Sequence, residues 1–147
     1  MSDQSCVFCA IVAGEAEASI VHADEDVLAF LDIAPVNPGH LLVIPRRHAV
    51  GLGDLPDGLL PKVAAVAQRL AGTLRAAHRS GELRCEGVNL FLADGAVAFQ
   101  EVFHLHLHVL PRFAGDPFGL TIGGRPRPAR DELNRLAGTL RRLDGGY

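Results

Sequence analysis

Three histidines alternate with leucines in the stretch His104-Leu105-His106-Leu107-His108. In a β-strand, alternate side chains point to one face, so the imidazoles would share a face while the leucines enter the core. Buried imidazoles need partners for their ring nitrogens, and three of them within five residues are a poor choice for packing alone. The pattern predicts a strand over residues 103–110 that carries out chemistry.

Two kinds of chemistry fit this spacing. A neighbouring pair could bind a catalytic metal, because alternate strand residues lie about 6.7 Å apart, whereas three would span about 13 Å. The protein would then be a zinc-dependent hydrolase with His104 and His106 as ligands. In the second reading, the central imidazole is a nucleophile with one nitrogen available for attack and the other donating a hydrogen bond. Its neighbours would polarise the group under attack, for which we expect a phosphoryl centre. The spacing leaves both open.

The elements that must position these histidines follow from hydrophobic periodicity. Apolar residues at helical spacing predict a long helix over 57–79 and a closing helix over 129–143, with a short helix over 5–14. Consecutive strands joined by short turns indicate an antiparallel sheet and an α+β class. The predicted strands before the histidine strand cover residues 19–23, 27–33, 40–44 and 88–92. We expect one domain over 1–147, with a core over about 5–113 and a C-terminal helical extension over about 128–144.

Composition excludes several classes of protein. The 147 residues carry a formal net charge of -3 without a basic block, which argues against a nucleic-acid partner. A small anionic ligand needs only a local positive site and is compatible with this charge. No run of about 18 apolar residues predicts a membrane span, and the polar N-terminus does not resemble a signal peptide. Three cysteines do not make a disulfide framework, so we expect a cytoplasmic protein with reduced thiols.

Three segments resemble the histidine triad (HIT) family. Residues 100–112, QEVFHLHLHVLPR, are similar to its signature of histidines alternating with apolar residues. Upstream, residues 30–35 (FLDIAP) and 38–45 (PGHLLVIP), followed by His48, also resemble the family. The N-terminal Cys6-Val7-Phe8-Cys9 is similar to the zinc-containing bacterial, Hint-like branch. Together the three segments cover most of residues 5–113.

The resemblance implies an activity as well as a fold. The implied fold is α+β, with an antiparallel sheet that usually dimerises into a continuous one. The implied activity is that of a nucleotidyl hydrolase or transferase acting on phosphorus-containing anhydride or phosphoramidate bonds. Such an enzyme cleaves a nucleoside 5'-phosphate conjugate, such as a phosphoramidate or a dinucleoside polyphosphate, through a covalent nucleotidyl-histidine. It releases a nucleoside monophosphate, and we expect a purine nucleotide and a homodimer.

The same resemblance implies roles for individual residues. His106 would be the nucleophile and His108 a phosphate-binding partner, while Gln100 would contact the phosphate or the leaving group. Asp32 would hold the ribose hydroxyls, which suits a carboxylate acceptor. Asn89 would lie near the junction of sugar and phosphate. The base would lie between Phe8, Ile11, Phe30 and Ile33.

The paired cysteines predict a metal site. Alone, Cys6 and Cys9 are compatible with a redox motif, with half a zinc site or with coincidence. The resemblance supplies His48 and His104 as further ligands. A Cys2His2 set would be a closed, structural zinc site, and it would leave His106 able to attack.

One position departs from the family pattern. Glu101 stands where many members carry a small hydroxyl residue, and a carboxylate repels phosphate. The leaving group is therefore not fixed by the resemblance, and a nucleotide-binding regulatory protein of low turnover stays an alternative. For the remaining histidines no constellation is predicted, and we expect His40 only to brace a turn.

Overall fold

The computed structural model describes residues 6–145 and divides the chain into two compact units, Met1–Pro117 and Phe118–Tyr147. The first unit contains every strand. Its elements are α1 (Val7–Ala13), β1 (Ile20–Ala23), β2 (Val27–Leu31), β3 (Leu41–Pro45), α2 (Leu59–Arg79), β4 (Gly87–Leu92) and β5 (Leu107–Arg112). Two short 3₁₀ turns, Leu52–Asp54 and Ala96–Ala98, lie between them.

The strands form one five-stranded sheet in the order β1-β2-β3-β5-β4. Every neighbouring pair is antiparallel, as expected for strands linked by short turns. The predicted α+β class with an antiparallel sheet is therefore confirmed. In this register His108 of β5 lies between Leu42 of β3 and Phe91 of β4.

Both faces of the central strands are covered, which explains why β2 and β3 are almost continuously apolar. On one face α2 buries the residues that recur at helical spacing, Val63, Val66, Ala67, Leu70 and Leu74. On the other face α1 packs Phe8 and Ile11 against Leu28, Phe30, Leu42 and Ile44. The second cluster leads directly to the histidines.

The predicted histidine strand begins later than expected. Strand β5 starts at Leu107 rather than at residue 103, so His104 and His106 precede it and only His108 lies on it. The strand begins late because the backbone before it binds a loop: the Leu105 amide donates to the carbonyl of Ala49, in the loop after β3, at 2.7 Å. Leu105 and Leu107 are nevertheless buried as predicted, and His104 and His106 are buried with them.

The second unit contains α3, which spans Arg130–Asp144. Its leucines lie on one face as predicted but are exposed, from 39% at Leu133 to 75% at Leu143. Whether the two units make the single domain expected from sequence stays a prediction. None of the helices within residues 6–145 has the length and apolarity that crossing a bilayer requires.

Candidate active site

His106 is held with one defined ring nitrogen available for reaction. Its Nδ1 lies 2.8 Å from the His104 carbonyl oxygen, and because that oxygen can only accept, Nδ1 carries the hydrogen. The neutral ring then keeps its lone pair on Nε2. The side chain is buried, with the Phe8 ring edge-on at 5.3 Å between centroids. A neutral imidazole held in this way has the features that a histidine nucleophile requires.

His108 is held in the opposite tautomer by His40. The Val36 amide donates to Nδ1 of His40 at 3.2 Å, so His40 carries its hydrogen on Nε2. That Nε2 donates to Nδ1 of His108 at 2.8 Å, which leaves the hydrogen of His108 on Nε2. His108 therefore offers an N–H group where His106 offers a lone pair.

Burial keeps the rings of His40 and His108 neutral near pH 7. It lowers the pKa of His108 to about 4, with smaller contributions in the same direction from His106 and His40. Burial also lowers the pKa of His40, although the Asp32 carboxylate opposes the shift. The donor–acceptor order from Val36 to His108 is therefore not disturbed by protonation.

His40 is the site residue that sequence reasoning missed. We expected it to brace a turn, whereas the structure places it against His108 and 3.6 Å from Oδ2 of Asp32. The missing signal was strand pairing: Leu42 lies opposite His108, and His40 precedes Leu42 by two residues on the same face. Only the order of the strands in the sheet brings these two histidines together.

A pocket of ≈ 430 Å³ opens beside the two catalytic candidates, within the range of ligand sites. Phe8 and Phe30 meet edge to face at 5.4 Å on one side of it. Asp32 stands in the loop after β2, where its Oδ1 accepts from the Ala34 amide at 2.8 Å. Seven residues that the sequence assigned to nucleotide binding line this pocket: Phe8, Ile11, Phe30, Asp32, Ile33, His106 and His108.

A second group of side chains includes His104, two residues before His106. The ligand atoms of Cys6, Cys9, His48 and His104 all lie within 4.8 Å of one another. The sulfur–nitrogen distance is 3.3 Å from Cys9 to His48, and the distances to His104 are 3.5 Å from Cys6 and 3.6 Å from Cys9. Tetrahedral zinc with ordinary bond lengths separates sulfur and nitrogen ligands by about 3.6 Å.

The comparisons with known proteins decide the family. The HIT domain matches residues 13–115, about two thirds of the chain. The chain belongs to the HIT family. A HIT-like protein of Mycobacterium tuberculosis is 43% identical over 133 residues, covering 89% of each chain. The resemblance of the three motifs is thus confirmed.

Solved structures extend the family match to the fold. A zinc-bound histidine triad family protein from Mycobacterium smegmatis is 47% identical, with a TM-score of 0.70 over 96% of each chain. A histidine triad nucleotide-binding protein from Candida albicans is 30% identical, with a TM-score of 0.82 over 96% of this chain and 98% of that one. A HIT family hydrolase from Legionella pneumophila is 35% identical, with a TM-score of 0.65 over 78% of this chain and 100% of that one.

The HIT chain carries a structural zinc site. Two thiols and two imidazoles, the ligand types that zinc prefers, lie within 4.8 Å of one another, and four such ligands make up a closed, structural set. Nε2 of His104 donates to the Pro45 carbonyl at 2.8 Å, so its lone pair is on Nδ1, the atom that faces the cysteines. This second hydrogen bond is the support that zinc-binding histidines usually have. Zinc bound here would crosslink α1, the loop after β3 and the segment before β5.

The catalytic-zinc alternative finds no support in the described residues. It required His104 and His106 to share a metal, but His106 belongs to neither of the candidate metal groups within residues 6–145. The other such group, Asp32, His40 and His108, is already connected by the hydrogen bond between its two histidines.

Two predicted site residues of the HIT chain do not line the pocket. Oδ1 of Asn89 accepts from Nη1 of Arg112 at 2.6 Å, next to the strand that carries His108. Gln100 is buried, and its side-chain amide binds backbone groups on three segments, at Gly95, Val50 and Val102. Gln100 thereby fixes the loop that leads to the histidines, and its contact with a phosphate stays a prediction.

Proposed function

We propose that the chain is a nucleotidyl hydrolase or transferase in which Nε2 of His106 attacks the α-phosphorus of a nucleoside 5'-phosphate conjugate. The carrying observation is the Nδ1 hydrogen bond of His106 to the His104 carbonyl, which directs the reactive lone pair to Nε2. The HIT family hydrolase and the nucleotide-binding HIT protein among the similar structures support a hydrolase or transferase in general.

The proposed reaction has two steps. The lone pair of Nε2 forms a bond to phosphorus while the bond to the leaving group breaks, and the leaving group departs with that electron pair and takes up a proton from solvent. Water then attacks the phosphorus and gives a proton back to solvent, the P–N bond breaks, and a nucleoside monophosphate leaves while His106 regains its lone pair. Nε2–H of His108 would donate to a non-bridging oxygen in both steps, where negative charge develops.

The walls of the pocket support a nucleotide as the ligand. Phe8 and Phe30 offer apolar ring surface for a flat purine base, and Ile11 and Ile33 extend it. Asp32 offers carboxylate oxygens to the ribose hydroxyls from the edge of the same surface. Zinc takes no part in these steps and would act only by holding α1, and with it Phe8, in place.

The test of this function is turnover of adenosine 5'-phosphoramidate, read by release of AMP. We expect His106→Ala to lower kcat by on the order of 10⁴-fold or more, because the nucleophile is removed. His78→Ala on α2, outside the pocket, is the matched control and should keep wild-type turnover. Rapid quench in alkaline denaturant, followed by mass spectrometry, should trap a nucleotidyl adduct on the wild type, because the P–N bond of the adduct is labile in acid but survives in alkali. Unchanged turnover in His106→Ala would exclude the mechanism, and tight AMP binding without any adduct would favour a regulatory binding protein.

We also infer a homodimer. Strand β4 is at the edge of the sheet, paired with β5 alone, and Leu90 on it is 51% exposed. An exposed edge strand with apolar side chains favours pairing with a second copy. Light scattering that gives the mass of one chain, 15.6 kDa, would contradict this. The cytoplasmic location stays a prediction.

A further inference from the structure

We propose that Glu101 makes the enzyme selective for leaving groups that carry a positive charge, such as a diamine released from a nucleoside phosphoramidate. The inference rests on the proposed function and names its substrate class. The structure places Glu101 in the wall of the same pocket as His106 and His108.

The first support is the charge of the pocket wall. Among residues 6–145, the lining contains three carboxylate residues, Glu17, Asp32 and Glu101, and neither lysine nor arginine. A site for a substrate with several phosphates would need cationic side chains to offset the charge beyond the α-phosphate. The neutral His108 supplies a hydrogen bond but no charge, since its pKa is lowered to about 4. The wall therefore suits a single phosphate attached to something that is not anionic.

The second support is the position of Glu101 along the wall. Phe8 and Phe30 occupy the side formed by α1 and β2, which the proposed function gives to the nucleoside. In-line attack by His106 places the leaving group on the far side of the phosphorus atom. Apart from the histidines and the residues before β4, the lining consists of Phe99, Glu101 and Val102, and we assign the leaving group to this stretch.

The third support is that this segment is anchored while the Glu101 carboxylate has no partner of its own. Gln100 binds the Gly95 amide and the Val50 and Val102 carbonyls, which fixes the chain on both sides of Glu101. Within residues 6–145, the ion pairs involve other acidic residues and none includes Glu101. An exposed carboxylate held at the pocket attracts a cation and repels an anion.

Of the three acidic residues, Asp32 has other contacts. Its Oδ1 accepts from the Ala34 amide and its Oδ2 lies 3.6 Å from His40. Glu17 lies between α1 and β1, on the side of the pocket proposed for the nucleoside. Glu101 is therefore the carboxylate placed to sense the leaving group, and Glu17 is its natural control.

The experiment compares three adenosine phosphoramidates that share the reacting P–N bond. Their leaving amines are similar in length and end in an ammonium, a methyl or a carboxylate group. For the wild type we expect kcat/KM for AMP release to follow the order ammonium, methyl, carboxylate, with on the order of 10-fold between the first and the last at low salt. Glu101→Gln should bring this ratio close to one, Glu101→Lys should reverse it, and Glu17→Gln should keep it.

A salt series on the wild type needs no variant. Because the pocket mouth is exposed to solvent, raising the salt from about 20 mM to about 500 mM should shrink the ammonium-to-carboxylate ratio. AMP release at equal rates from all three compounds would overturn this inference and leave the proposed function standing, as would an unchanged ratio in Glu101→Gln. No release from any of the three would overturn the proposed function, and this inference with it.

Discussion

The two histidines that line the pocket, His106 and His108, carry the hydrogen on different ring nitrogens. His106 donates from Nδ1 to a backbone carbonyl, whereas His108 accepts on Nδ1 from His40. Their rings lie 4.9 Å apart between centroids, so a lone pair and an N–H group face the same small volume. A phosphoryl group placed there would meet an attacking atom and a hydrogen-bond donor together.

The role of His40 is testable through the ring it orients. In His40→Leu, Nδ1 of His108 loses its donor, and the N–H group is no longer held toward the pocket. We expect kcat for AMP release to fall by about 10-fold, which corresponds to the loss of a hydrogen bond worth about 1.4 kcal/mol. His40→Gln can donate from a similar position and should recover part of the rate. A wild-type kcat in His40→Leu, with zinc content unchanged, would remove His40 from the mechanism.

The residues that the sequence correctly predicted to meet belong to motifs that can be recognised from residue type and spacing. Cys6, Cys9, His48 and His104 come from segments separated along the chain, yet they meet as the family resemblance predicts. His40 was missed because its partner is set by the pairing of β3 with β5, which no spacing records. The backbone contacts of Gln100 were equally invisible, since they depend on the path of two loops.

At the level of elements, the histidine segment shows that alternating residue types predict which leucines are buried better than they predict where a strand begins. Leu105 and Leu107 are both buried, whether or not their backbone belongs to the sheet. Residues 102–104 form a bend, and the Leu105 amide donates to the Ala49 carbonyl instead of to a neighbouring strand. Side-chain periodicity carries no information on that choice of hydrogen-bond partner.

The zinc site should act on the pocket through α1. This helix has only seven residues and is too short to be stable alone, so it depends on its packing and on the metal. We expect Cys9→Ser to lose most of the bound zinc and to lower Tm by about 4–8 °C, as for a loss of about 2 kcal/mol in a chain of this size. KM should rise because Phe8 and Ile11 come from α1.

Zinc content, Tm and KM of the same preparations check this prediction. Cys85→Ser is the matched control, since Cys85 is a buried cysteine outside the metal group. Should Cys9→Ser bind as much zinc as the wild type, or should chelation abolish kcat while Tm is unchanged, the structural role of the metal would be wrong.

For the molecule as a whole, the buried histidines predict a loss of stability in mild acid. Unfolded His108 takes up a proton near its ordinary pKa of 6.5, but folded His108 does so only near 4. Between these values the unfolded chain binds more protons. The stabilising contribution is therefore complete above pH 6.5 and is lost as the pH falls toward 4. His40, whose pKa is also lowered, acts in the same direction.

Urea unfolding at pH 7 and pH 5 measures this effect. Between pH 7 and pH 5, the urea concentration at the midpoint of unfolding should fall more for the wild type than for His108→Gln, which cannot take up the proton. Excess zinc is added to both samples, so that protonation of the metal ligands affects the two proteins equally. Equal losses in the two proteins would show that His108 does not titrate as its burial requires.

The metal site also has a consequence for the order in which the chain can mature. Cys6 and Cys9 leave the ribosome first, but His48 follows Cys9 by 39 residues and His104 by 95. A nascent chain therefore holds half of a zinc site until nearly all of the sheet has been made. Closing loops of this length is costly before the strands between them have paired. Zinc bound by all four ligands would thus require a chain that has been made at least as far as His104, past four of the five strands.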